Sequence, residues 1–201
     1  MTHGSIIANA AKVSLLLGVL SVLGPMSIDM YLPALPAIAD GMNTSIGSVQ
    51  GTLTAYLLGI GLAQLFYGPF SDQFGRKAPL YLGLTLFIIG SALSFLAASI
   101  ETLTAARLLQ GLGGAALMVI PRAIVRDLDT GIAAARLMGT IMMVISVAPM
   151  IAPLLGSAVM LSGGWRSVFL TLLILGVVSL AIVRFALPES LAPQHRVTFN
   201  A

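Results

Sequence analysis

The sequence predicts an all-α integral membrane protein of six transmembrane helices. Hydrophobic residues make up 58% of the chain and charged residues only 8%, against about 25% charged in a soluble domain. The apolar residues fall into six runs, each close to the roughly 20 residues that a helix needs to cross hydrocarbon. Apart from Asp29 and Arg107, the charges lie between these runs or near their ends.

The first run covers about 13–35 and contains Asp29 in Ser27-Ile28-Asp29-Met30-Tyr31-Leu32-Pro33. It is too long for a cleaved signal peptide and five more spans follow it. The second covers 47–70. It ends in the only compact charged cluster of the apolar region, Gly68-Pro-Phe-Ser-Asp72-Gln-Phe-Gly75-Arg76-Lys77, flanked by charge-free sequence from Gly41 to Ser71 and from Ala78 to Ile100. The third covers 78–98. The fourth, 102–125, holds Arg107, then Gln110 and a series of small residues from Gly111 to Ala116. The fifth, 135–160, carries Pro149, Pro153 and Gly156, and the sixth, 165–187, opens on Trp165. Short connectors imply antiparallel neighbours.

The net charge is only +3 and the basic residues form no run, which argues against nucleic acid and for topology signals. The chain has no cysteine, and only His3 and His195, so thiolate and histidine sites are not expected. No motif supports an enzyme. Lys12, Arg76, Lys77, Arg122, Arg126, Arg136, Arg184 and Arg196 fall on one side of the predicted spans. Arg166, with Asp40 and Glu101, falls on the other. The first side is expected to be cytoplasmic, with both termini inside. Trp165 suits an interfacial anchor or an ordinary packing aromatic.

Two charges inside spans are the principal chemistry. At about 1.5 Å per residue, Asp29 and Arg107 both lie roughly 9 Å below the outer boundary. Matched depth permits contact, directly or through water. Charge in hydrocarbon is costly and faces a cavity or a partner. The pair reads either as a protonatable carboxylate coupled to an arginine or as a static tie between helices. Gln110 lies one turn after Arg107 and suits pocket lining or interhelical bonding equally. Met26 and Met30 flank Asp29, and methionines re-pack around varied ligands. With Tyr31 and Met118 they are cavity candidates or packing residues. Pro149 and Pro153 remove backbone hydrogen bonds on one face, giving a hinge or a fitted bend. In the charged cluster, Gly68 and Gly75 permit close backbone approach. Asp72, Arg76 and Asp127 are placed to form a network, or else are solvated topology charges.

A constant offset aligns Pro33 with Pro121, Gly51 with Gly139, Gly68 with Gly156 and Gly75 with Gly163. Three-helix units related by inversion are a transporter feature. Gly68-x-x-x-Asp72-x-x-Gly75-Arg76-Lys77 resembles the signature loop of the major facilitator superfamily, between spans two and three. Arg107-x-x-Gln110-Gly111 resembles that superfamily's span-four motif, and Ala152-Pro153-x-x-Gly156-Ser157 its span-five antiporter motif. Ser27-Ile-Asp29-Met-Tyr31-Leu-Pro33-Ala-Leu-Pro36 resembles the first span of the Bcr/CflA-like group of bacterial drug:proton antiporters. Trp165-Arg166-Ser-Val-Phe169 and Leu187-Pro188-Glu189-Ser190 also fit that group.

The resemblance implies a fold of two inverted three-helix repeats making one half, residues 1–192, of a twelve-helix transporter. Residues 193–201 would begin the central linker. It implies efflux of small drugs, such as bicyclomycin-like or phenicol compounds, driven by a proton gradient without other cofactor. Asp29 would be the proton or substrate site and Arg107 its coupling partner. The setting would be the bacterial inner membrane, and the partners lipid, drug, protons and a second six-helix half or a second copy. The competing expectation is a truncated or non-transporting membrane protein.

Overall fold

Proline decides where the first helix ends. The computed structural model describes residues 3–128, 131–191, 194 and 196, the first ten of them and residue 14 as backbone only. Helix α1 runs His3–Asp29 and stops. The chain turns at Met30 and Tyr31, makes a short 3-10 turn Leu32–Ala34, and resumes as α2, Leu35–Gly41. Pro33 and Pro36 lack backbone N–H groups and disfavour helical geometry in the residues before them. The expected continuous span over 13–35 is therefore broken, and the crossing stretch is Leu15–Gly41.

The remaining helices are α3 (Ile46–Phe74), α4 (Lys77–Leu96), α5 (Ile100–Leu128), α6 (Gly131–Gly163) and α7 (Arg166–Phe185). The Ser45 hydroxyl caps α3 by accepting from the Ser48 N–H at 3.1 Å. Several helices overrun the apolar runs, α1 at its start and α6 at both ends, because backbone hydrogen bonding continues past the hydrocarbon edge. Among the described residues, six stretches are long and apolar enough to cross a membrane. The expected linker start, 193–201, lies almost wholly outside the described residues.

Helix α5 is the centre of the packing, with α3 on one side and α4 on the other. Glycine allows it. A Cβ on Gly111 would overlap the Tyr56 carbonyl of α3, and one on Gly113 would overlap the Gly83 carbonyl of α4. Helices pack this closely in lipid only through small residues. The other main contacts are α1 with α6 and α4 with α7. Exchanging the first three spans with the last three maps α3·α5 onto α6·α1 and leaves α4·α7 in place, but it maps the close α4·α5 pair onto the much looser α1·α7. Trp165 is buried, edge-on to Phe169 at 6.1 Å between ring centroids, so it packs inside the bundle rather than at the interface.

Candidate functional site

Arg107 lies at the middle of the bundle with no exposed surface. Its Nη1 donates to Ser27 Oγ at 2.9 Å and to Gln110 Oε1 at 2.5 Å, and its Nη2 donates to the Ser27 carbonyl at 3.3 Å. Gln110 donates in turn to Ser91 Oγ at 2.7 Å. The guanidinium lies 4.2 Å from the Tyr56 ring centroid and 4.6 Å from that of Tyr31. Both rings are fixed. Tyr56 donates to the Gly24 carbonyl at 2.9 Å, and the Tyr31 hydroxyl meets Thr52 Oγ1 at 2.5 Å. Among the described residues no carboxylate pairs with Arg107. A buried charge without a counter-ion costs several kcal/mol. Charge-assisted hydrogen bonds, at about 1.5–3 kcal/mol each, and desolvated cation–π contacts, at about 2 kcal/mol, offset that cost. Replacing Tyr31 by Phe removes only the bond to Thr52, with an expected loss of about 1 kcal/mol. Tyr31→Ala should cost more, since it also strips a ring from the guanidinium. Thermal unfolding in nanodiscs measures both, and equal losses would show that the ring contributes nothing.

Asp29 and Arg107 form no direct ion pair. Arg107 engages Ser27, and Asp29 is two residues further round α1, about 200° away. Asp29 is half-buried on the other side. There it continues a stripe of Leu15, Val19, Val22 and Met26 at helical spacing, of which Leu15 and Val19 are exposed. Met30, Tyr31 and Gln110 have no exposed surface, so they line no cavity in this structure. Met26 lines a recess between α1, α6 and α7. Met118 is half-buried over Gly24, its sulfur 4.0 Å from Gln64 Nε2.

The second site is the turn between α3 and α4. Gly75 adopts φ of 90°, a left-handed value that L side chains rarely adopt. It delivers Arg76 into a network. Arg76 Nε and Nη2 donate to the two Asp127 oxygens at 2.6 and 3.0 Å, and Nη1 donates to Asp72 at 2.5 Å and Ser71 Oγ at 2.6 Å. The expected trio of Asp72, Arg76 and Asp127 therefore forms. Asp127, and after it Asp72, holds the guanidinium above its usual range against the opposing effect of burial. Arg76 thus stays charged throughout the workable pH range.

Sequence reasoning missed the fourth member, Glu189. Its carboxylate accepts from the backbone N–H groups of Arg76 at 2.8 Å and Lys77 at 3.1 Å, at the start of α4, where an anion is favoured. Ser190 Oγ donates to Asp127 at 3.0 Å. The available signal was an acidic residue just past the last span, at the end that carries Arg76 and Lys77. Ser27 and Tyr56 were also missed as partners of Arg107. Their signal was polar groups within apolar spans at comparable depth.

One other expectation changes. A Cβ on Gly68 would meet nothing within 4 Å, so no close approach occurs there. Pro149 and Pro153 lie inside the continuous helix α6, and Gly156 is a packing residue. A Cβ there would lie 2.5 Å from the Met30 carbonyl.

Residues 17–200 match the Major Facilitator Superfamily. The chain is 39% identical over 199 residues to an uncharacterized MFS-type transporter, YdgK, of Bacillus subtilis, covering 98% of this chain and 50% of that protein. It is 36% identical over 183 residues to a bicyclomycin resistance protein homolog of Haemophilus influenzae, covering 91% and 46%. It is also 37% identical over 171 residues to the multidrug resistance protein MdtL of Escherichia coli, covering 85% and 44%. The chain spans about half the length of the curated relatives it matches. Its fold is similar to that of the proton:xylose symporter XylE, with a TM-score of 0.79 at 16% identity over 91% of this chain and 46% of that one. It is likewise similar to the human organic anion transporter MFSD10, with a TM-score of 0.75 at 21% identity over 93% and 50%. With its six spans arranged as one half of that fold and nearly its whole length matched, the chain belongs to the Major Facilitator Superfamily.

Proposed function

We propose that this chain is a six-helix half of a proton-coupled efflux transporter for small drugs. It acts with a second six-helix half, in cis or in trans. The observation that carries this is the division of labour on α1. One face is tied through Ser27 to the buried Arg107, while Asp29, half-buried, lies on the opposite side of the helix. A carboxylate within a span is a functional-site hypothesis by default. Asp29 is the proton or substrate site, and Arg107 acts on it through α1 rather than by direct pairing. The need for a second half is supported by the length of the relatives and by exposed apolar residues on α3 and α6, among them Leu65, Phe66, Met150 and Leu154. The Gly75 turn, with the cluster of basic residues at that end, faces the cytoplasm of a bacterial inner membrane. Names given to relatives, bicyclomycin resistance protein homolog and multidrug resistance protein MdtL, support drugs as the cargo.

Proteoliposomes test the reading. The chain co-expressed with the C-terminal half of the Bacillus subtilis relative should move a phenicol when a pH gradient is imposed. Asp29→Asn should abolish that movement. Unchanged coupling in Asp29→Asn would remove the residue from the mechanism. No movement with the second half present would leave a non-transporting membrane protein.

A further inference from the structure

Helices α3 and α4 rest on α5 at Gly111 and Gly113 and touch one another far less. An apolar groove of about 520 Å³ separates them, with Leu112 of α5 at its base. Along α3 it runs from Gln73, beside the Gly75 turn, to Leu62. That is roughly 16 Å of helix, about half of a hydrocarbon core roughly 30 Å thick. The groove is therefore about as long as one leaflet is deep. Its rims are open, with Leu62 55%, Phe66 72% and Leu82 46% exposed.

One polar group in this apolar setting lacks a partner. Tyr67 lines the groove and is only 5% exposed. Gly83 makes room for its hydroxyl, since a Cβ there would come within 3.4 Å of the oxygen. The hydroxyls of Tyr31 and Tyr56 are hydrogen-bonded, but among the described residues that of Tyr67 is not. Leaving such a group unpaired is costly, which favours an occupant that brings an acceptor. At the mouth of the groove Gln73 offers an amide, and Lys77 starts α4 four residues further on. Arg76 is committed to Asp72 and Asp127, whereas Lys77 has no ion-pair partner among the described residues. Its ammonium lies 5.9 Å from the Tyr81 ring centroid. Apolar wall, hydroxyl, amide and cation thus follow one another toward the turn in the order chain, ester and phosphate of a glycerophospholipid. We propose that the groove binds one anionic phospholipid of the leaflet on the Gly75 side. An acyl chain lies along Leu62, Phe66 and Leu82, an ester carbonyl accepts from Tyr67, and the phosphate meets Gln73 and Lys77. The site contains neither Asp29 nor Arg107 and does not depend on the transport reading.

Native mass spectrometry of the chain released from nanodiscs of mixed phosphatidylglycerol and phosphatidylcholine counts the lipids it keeps. One phosphatidylglycerol should persist under activation that strips the rest. Tyr67→Phe removes only the hydroxyl and should lower its retention about fivefold, the effect of one hydrogen bond. Leu82→Trp fills the groove from its exposed rim and should lower retention of both lipids by about tenfold or more. Lys77→Gln should remove the preference for phosphatidylglycerol and leave phosphatidylcholine as it was. Val177→Trp on α7, 48% exposed and outside the groove, should change nothing. Unchanged retention in either Tyr67→Phe or Leu82→Trp would overturn the proposal. An equal loss in Val177→Trp would show an unspecific shell of lipid, and equal retention of the two lipids by the wild-type chain would show no headgroup site. Either result overturns it. Leu65 and Phe66 also belong to the α3 face given above to the second half. Loss of the lipid on co-expression with the C-terminal half of the Bacillus subtilis relative would assign the groove to that half, and the proposal would fall.

Discussion

Arg76→Ala should destabilise the protein by roughly 3–5 kcal/mol, the usual result of removing one partner of a buried ion pair. The side chain of Arg76 is 7% exposed and that of Asp127 is 14% exposed. Without the guanidinium, Asp127 keeps only the Ser190 hydroxyl among its described side-chain partners. Asp72 is more open, so its share of the loss is small. Arg76→Lys should recover little, because a point charge cannot reach both Asp127 oxygens and Asp72 together. Thermal unfolding in nanodiscs, with limited proteolysis of the Leu187–Leu191 segment, gives the measure. A loss below about 1 kcal/mol would mean that these are solvated topology charges after all.

Gly111→Ala should be as damaging, at or above the upper end of the roughly 1–3 kcal/mol that overpacking costs. The added carbon would run into the Tyr56 carbonyl, and backbone cannot move aside as a side-chain tip can. Shifting α3 away would also withdraw the Tyr56 ring from Arg107. Gly61→Ala on α3 is the control. A Cβ there meets nothing within 4 Å, so the change should be neutral or should stabilise the helix by up to about 1 kcal/mol. Monodispersity and thermal midpoint of the two variants give the comparison. Equal behaviour would show that the α3–α5 crossing is looser than this geometry.

Helix number and approximate position are legible in the apolar runs alone. The Arg76–Asp72–Asp127 trio is legible too, because the turn and the end of α5 must share one end of an antiparallel bundle. Asp29 and Arg107 stand out because charge is rare in such spans. Their partners do not. Equal depth in the membrane leaves the direction round each helix open, and direction separates Ser27 from Asp29. Met30 and Tyr31 carry the same ambiguity, resolved only where prolines end α1 and turn both residues inward. Glu189 escapes notice because a residue past the last helix has no periodicity to place it.

The sequence by itself determined that the chain crosses the membrane six times and which residues carry charge into it. Hydrophobicity and charge are local properties, summed along the chain, and transfer to lipid reads them directly. Only the tertiary structure decided that Arg107 rests on two tyrosines and a serine while Asp29 makes no ion pair with it. That choice depends on how closely glycines let α3, α4 and α5 approach, and on the rotation of each helix about its own axis. Both are set by packing between segments distant in sequence, which no local pattern encodes.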